Sequence, residues 1–349
     1  MNWTKGDFET GSSEAMLAGS PLCSSTERFF GVVWTIKGDL DWFAKGLGLR
    51  HYGSNQPCDF CKVNKKGPAN MWPTNFAKRA PWKSAMTTFE EWRGALSDRH
   101  SVLFKELEYL SIHNIEPDEL HIVHLGVSRY LLGSVLWLLT YSVFGGSPED
   151  NFDQVWAEVG DRYEGNHNNT QFTSLTINSF IDPEYPNKTF PQLKGRACEV
   201  KSLVSPLLEV WRKHRGRVAL HTRVEEALTC MHEVQTMLDE YKQSCFLPPV
   251  KSERMLELVD DFLIAYTGAG HLSDARDYLL FSAVPKLHWF WHLATRAKYL
   301  NPRRSATFID EDFVKHMKKI AASCVHGSRH HMVGPKLLHK YRWGMGMQR

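Results

Sequence analysis

Two cysteines and a few carboxylates carry the residue types and spacings that could do chemistry in this chain. Cys58-x-x-Cys61 has the loop spacing of half a zinc site, in which two thiolates share one cation with two further ligands. No second CxxC follows, and Cys198, Cys230 and Cys245 are distant and lie in helical text. The remaining Zn2+ ligands would then be histidines, with His51, His100, His113, His121 and His124 as candidates; the alternative is a structural pair of free thiols. A second chemistry is phosphodiester transfer by two divalent cations, which needs several carboxylates converging on Mg2+ or Mn2+. Asp39 and Asp41, and much later Glu311 and Asp312, are the carboxylates in suitable places. A third constellation is Asp118-x-x-His121, followed by His124. Its i,i+3 spacing at a helix start lets the carboxylate orient the imidazole, as carboxylates behind metal-bound histidines do. The plainer alternatives are solvated acids and packed histidines.

These residues need elements to hold them. Phe29 to Ile36 is an apolar, β-rich run that fits a strand buried on both faces. It ends at Lys37-Gly38, a turn signal, so Asp39 falls at the C-terminal end of the strand, where α/β folds place their chemistry. A helical stretch follows over Leu40–Leu47. Residues 62–100 read as irregular, with a short helix at Thr88–Leu96 that Thr88 caps, and Asp98 to Tyr109 extends helically. Ile115–Leu139 reads as a helix opening at Pro117, with Asp118 and Glu119 favoured by the N-terminal dipole. Its continuation from Tyr130 to Phe144 is about fifteen apolar residues, short of the roughly 18–20 that span a bilayer, and predicts a buried helix with no membrane partner. Further helices are predicted over 150–164, 197–214, 220–241, 251–269 and 274–299. Asn301 to Arg304 reads as a loop, and Asp310 as the N-cap of a helix running to Cys324.

Composition sets the class. Of 349 residues, 42% are hydrophobic and 23% charged, values of a globular protein, and the twelve Trp point to large buried cores. Seven mostly scattered Cys argue for a reducing compartment, cytosol or nucleus, and no secretory leader is visible. The net charge is only +3, but from Arg296 to Arg349 there are twelve Lys and Arg against three acids. Lys315, Lys318 and Lys319 at helical spacing, then Arg329, Lys336, Lys340 and Arg342, would give sequence-independent phosphate contacts to DNA; the alternative is a solvated helix surface.

The order of these motifs resembles a known family. Gly38-Asp39-x-Asp41-Trp42, then Pro57-Cys58-x-x-Cys61, then Asp118-x-x-His121 with Leu125-Gly126-Val127, and finally Asn301-Pro302-Arg303 with Glu311-Asp312-Phe313, is similar to eukaryotic DDE transposases of the CACTA and Plavaka kind. Gln192 to Leu203 resembles part of their helical insertion. The resemblance covers about residues 27 to 345. It implies a mainly α fold with a small α/β part, a partial ribonuclease-H-like core interrupted by a large helical insertion. The implied segments are a flexible lead-in (1–26), a partial core with the second acid (27–56), the insertion with a zinc loop (57–273), and C-terminal core helices with the third acid and a basic tail (274–349). Asp39 would match the second acid and Glu311 the third, with Asp41 and Asp312 as neighbours. The first acid lies on an upstream strand in that family, and the residues before Asp39 contain no such strand. The resemblance therefore implies a DNA-binding, nuclear protein that is catalytically incomplete unless an upstream fragment restores it, and leaves a homo-oligomer open. The alternative is a non-catalytic helical protein that binds zinc and nucleic acid.

Overall fold

The computed structural model describes residues 32–163, 170–325, 327 and 329–346. The chain divides after Ile36 into a leading unit, Met1–Ile36, and a second unit, Lys37–Arg349, which holds the site residues. Helix accounts for 60% of the structure, and among the described residues one small sheet of two parallel strands accompanies it.

The sheet pairs β1 (Ile36–Gly38) with β2 (Ile115–Pro117). The run expected as a buried strand from Phe29 is thus strand only from Ile36. Val32 and Trp34 are exposed, at 73% and 59%, and residues 29–31 lie outside the described residues. A ladder is no longer than its shorter strand, and β2 has three residues. Lys37-Gly38, read as a turn, belongs to β1, and Asp39 passes directly into α1 (Leu40–Gly46). The Asp39 carboxylate caps that helix, accepting from the Trp42 N–H at 2.6 Å. Past the end of α1, Gly48 has φ +70°, and a Cβ there would stand 1.8 Å from the Arg99 carbonyl oxygen. Gly48→Ala combines left-handed strain with a backbone clash, so it is expected to destabilise by more than ~1 kcal/mol. Urea unfolding, with an unchanged m-value, is the measurement.

Three short helices follow: α2 (Pro81–Ser84), α3 (Phe89–Gly94) and α4 (Val102–Glu106). Thr88 caps α3 as expected, in a reciprocal box with Glu91 (3.2 and 3.0 Å). The helix expected through Asp98–Tyr109 is only α4. The stretch expected as a helix from Ile115 begins instead as β2, with Pro117 closing a strand. Leu120–Ser128 is then π-helical, α5 (Arg129–Leu138) is regular, and Leu139–Val143 is π-helical again. Leu120–Val143 has the length and apolarity of a membrane-crossing helix, but 83% of that window is buried inside the protein. It is the packed centre of the helical body.

Around it lie α6 (Pro148–Tyr163), α7 (Ala197–His214), α8 (Ala219–Glu240) and α9 (Pro249–Asp274). The last two pack along one another, α8 burying Val224, Leu228, Met231 and Leu238 and α9 burying Met255, Val259, Phe262 and Tyr266. The helix expected from Asp274 starts only at α10 (Lys286–Arg296), because Asp277 and Phe281 take φ of 58° and 55°, which an α-helix does not admit. Asn301 caps a short helix, α11 (Pro302–Ser305), where a loop was expected. α12 (Phe308–Val325) starts two residues before Asp310, which is therefore not its N-cap, and α13 (His330–Gly346) carries the basic end.

Candidate metal centre and the Asp39 cavity

Cys58 and Cys61 sit on a tight loop that the backbone fixes. Cys61 bridges Met86 in antiparallel fashion, the Thr87 N–H donates to the Phe60 carbonyl at 2.9 Å, and the Phe60 N–H donates to Cys58 Sγ at 3.3 Å. Buried Asp59 accepts from the Arg50 N–H at 2.6 Å and holds the near side of the loop. The helix α10 faces this loop with His288 and His292, one turn apart on one face. Cys61 Sγ lies 3.4 Å from His288 Nε2, Cys58 Sγ 3.4 Å from His292 Nε2, and the two Nε2 atoms 3.1 Å apart. All four ligand atoms fall within 4.8 Å of one another, and all four residues are buried. A tetrahedron with metal–ligand bonds of about 2.0–2.3 Å has edges of roughly 3.3–3.8 Å, so the cluster is close to the size zinc needs. The spacing Cys-x2-Cys with His-x3-His is that of structural Cys2His2 sites.

The surroundings favour a closed, structural site. Trp82, fully buried, packs against His288 at 4.4 Å between ring centroids, and Phe60, Trp289 and Trp291 surround His292. Burial, with His288 and the Arg296 guanidinium nearby, holds His292 well below the usual imidazole range, so it is a neutral, metal-ready base. Burial and the neighbouring Cys61 push the Cys58 thiol well up, so a cation must displace its proton. Neither His Nδ1 has a hydrogen-bond partner among the described residues. Aromatic packing rather than a carboxylate orients these rings. Four protein ligands leave no position for substrate or water, so this centre can hold a cation and staple the loop to α10, but it cannot activate a nucleophile.

The structure thus pairs the expected Cys58 and Cys61 with histidines that differ from the expected candidates. His51 and His100 accept backbone N–H bonds from Gly53 and Ser97. His124 is buried with its Nε2 3.3 Å from Glu119. The His-x3-His signal is present in the sequence, but the aromatic helical pattern around it masks it.

Asp118 and His121 are in contact, as their spacing predicts. Of the two surroundings expected for them, the interior and the zinc loop, Asp118 takes the interior, and His121 faces the cavity described below. Asp118 is fully buried at the C-terminal end of β2, where it accepts from the Leu120 N–H and the Thr307 N–H, both at 3.0 Å, and from Thr307 Oγ1 at 2.5 Å. Burial raises this carboxylate, but the bonds from His121 and Thr307 outweigh it, and its pKa lies below the usual range. His121 lines a cavity of about 380 Å3 together with Asp39, Asp41, Arg129 and Lys286. Asp41 is paired with Lys45 at 2.6 Å. Arg129 and Lys286, to which no sequence motif points, are half-buried and donate to the Leu193 and Leu125 carbonyls. Burial lowers the pKa of both.

Thr307 immediately precedes α12, so Asp118 ties the end of β2 to the start of the helix that bears Glu311 and Asp312. The side chains of Glu311, Asp312 and Arg342 lie outside the described residues. Lys315, Lys318 and Lys319 on α12, Arg329, and Lys336 and Lys340 on α13 are exposed. The fold and site together define a mainly helical protein with a buried Cys2His2 centre. Comparison with protein-family models, with curated proteins and with solved structures finds no match to this chain.

Proposed function

We propose that this chain is a DDE transposase-like protein of eukaryotic transposable elements, stapled by a structural zinc ion, which binds DNA and carries out little or no strand transfer by itself. The observation that carries the reading is the convergence at the Asp39 cavity. Asp39 follows β1, Asp118 follows its parallel neighbour β2, and His121, held by Asp118, opens into the cavity that Asp39 lines. Carboxylates at the C-terminal ends of adjacent parallel strands are where a ribonuclease-H-like core collects Mg2+ or Mn2+. The motif order from Asp39 to Glu311 supports the same ancestry.

The cavity also argues for binding over cleavage. Among the described residues that line it, Asp39 and Asp41 are the carboxylates, and the cations Arg129 and Lys286 line it too. Two metal ions need more carboxylates than these. The exposed lysines of α12 and α13 supply a sequence-independent DNA contact, and a nuclear location follows from that partner.

Two assays test this reading. Plasmid nicking in Mg2+ or Mn2+ is expected to stay at background; robust nicking that Asp39→Asn abolishes would overturn the binding-only part. Duplex DNA is expected to bind with a log–log salt slope of about −0.9 per phosphate neutralised. Charge removal at Lys315, Lys318 and Lys319 should flatten the slope by roughly one for each phosphate no longer neutralised. A slope that does not move rules out this surface.

A further inference from the structure

Two cations line the Asp39 cavity without a carboxylate to answer them. His121, Leu125 and Arg129 follow one another at four-residue spacing along one wall, and Lys286, at the start of α10, completes it. Arg129 spends Nε on the Leu193 carbonyl at 2.8 Å. Its Nη1 and Nη2 have no acceptor among the described residues and are not sealed from solvent. Lys286 Nζ gives one of its three N–H groups to the Leu125 carbonyl at 3.1 Å. A helical carbonyl points toward the next turn, so this bond brings Nζ to the turn of Arg129, and the two like charges oppose each other. The Lys286 stem crosses the helix at Gly126, where a Cβ would stand 2.5 Å from its Cδ. Lys83, Arg296 and Arg303, also withdrawn from water, each meet a carboxylate, in Asp260, Glu116 and Glu119. Among the described residues, neither Arg129 nor Lys286 has a carboxylate within ion-pair reach.

Two partly desolvated cations at one cavity make a site for an anion, whose binding offsets both their desolvation and their mutual repulsion. The unspent Nη1–Nη2 edge of Arg129 is a fork that grips two oxygens of one group. The charge of the ligand follows from the lining. Asp41 is neutralised by Lys45, and Asp39 caps α1 through Oδ1, so two cations stand against one carboxylate. A phosphodiester within a strand brings a single charge. A phosphate monoester brings about −1.5 to −2 at neutral pH, with three acceptor oxygens to share between a fork and an ammonium. We propose that the Asp39 cavity is a phosphate monoester site, taking the terminal phosphate of a nucleic-acid strand or of a free nucleotide. For the strand as source it rests on the nucleic-acid reading above, and it deepens that reading. The exposed lysines of α12 and α13 hold a strand by its diesters, and the cavity holds its end.

The test compares short, internally labelled single strands that carry a phosphate on the 5′ end, on the 3′ end or on neither, bound to the full chain. A terminal phosphate should tighten binding to wild type by about tenfold, the effect of one charge-assisted contact. Arg129→Met and Lys286→Met, which keep side-chain bulk and remove the charge, should each bring that ratio near one, and Lys286→Arg should restore it. Adenosine 5′-monophosphate that competes with the phosphorylated strand, where adenosine does not, marks a free nucleotide as a sufficient source. Competition confined to phosphorylated strands marks the strand end as the source. Equal binding of all three strands by wild type, a comparison that needs no variant, overturns the proposal and leaves the DNA-binding reading intact. A phosphate advantage that survives both Met substitutions places the strand end elsewhere and overturns it too. If no strand binds at low salt, the DNA-binding reading fails, and melting curves decide the site. Inorganic phosphate or adenosine 5′-monophosphate that raises the melting temperature of wild type, and not of Arg129→Met or Lys286→Met, then upholds the site with a free monoester as its ligand. No shift overturns both.

Discussion

His292→Ala is expected to abolish zinc binding and most of the cooperative unfolding of the helical body. Purified wild-type protein should carry about one zinc per chain, set by the four buried ligand atoms of Cys58, Cys61, His288 and His292. The effect is large because of where the ligands sit. The two cysteines lie on a loop tied locally by short backbone bridges and by Asp59, and the two histidines lie on α10, more than two hundred residues later. Closing so long a loop is what a metal clip stabilises most. Structural zinc is worth about 10–16 kcal/mol of apparent binding free energy in small fingers. Even a net loss of about 5 kcal/mol would lower the melting temperature of a unit this size by on the order of 10 °C. Cys58→Ser should behave alike, and a chelator should reproduce both in wild type. Metal analysis and calorimetry decide the matter. A zinc content near zero in wild type, or a melting curve that His292→Ala leaves in place, would remove the centre from the account of the fold.

How much of this is legible in the sequence depends on distance along the chain. α7 reads with its observed bounds and α8 and α9 nearly so, because a 3.6-residue apolar repeat is local information. The Thr88–Glu91 box is also legible, being set by residues three apart. The strands are not, because β1 is defined by β2, some eighty residues away. Pro117 looks like a helix opening where it closes a strand. The metal centre is half legible for the same reason. Cys58-x-x-Cys61 announces two ligands, but which histidines complete it is fixed only when α10 docks on the loop. The Asp118–His121 contact follows from spacing, whereas the bonds to Thr307, nearly two hundred residues on, do not.

Arg303→Met is expected to destabilise the protein by about 3–5 kcal/mol at neutral pH, with a changed response to acid. Arg303 donates to both carboxylate oxygens of Glu119, at 2.6 and 2.9 Å, and to Asp239 at 2.6 Å. Glu119 is fully buried beside His124, so removing the guanidinium leaves a charge that neither water nor another cation of equal reach can satisfy. In the intact protein burial raises Glu119, but His124 and Arg303 outweigh burial and hold its carboxyl below the usual range. A carboxylate depressed in the fold contributes stability that is fully present above its unfolded pKa, about 4.3, and is lost as pH falls through the folded value. Asp118 is depressed too and acts in the same direction. Wild-type stability should therefore hold through neutral pH and fall on acidification below about pH 4.5. In Arg303→Met, burial acts on Glu119 with less opposition, its carboxyl moves up, and the gap between variant and wild type narrows as pH falls. Glu119→Gln placed on top of Arg303→Met should recover much of the loss at neutral pH, since it removes the stranded charge rather than the packing. Urea unfolding of the two variants and wild type, at neutral and at mildly acidic pH, gives the three numbers required. A double variant no more stable than Arg303→Met would mean that packing of the Arg303 stem supplies the stability assigned here to the ion pair.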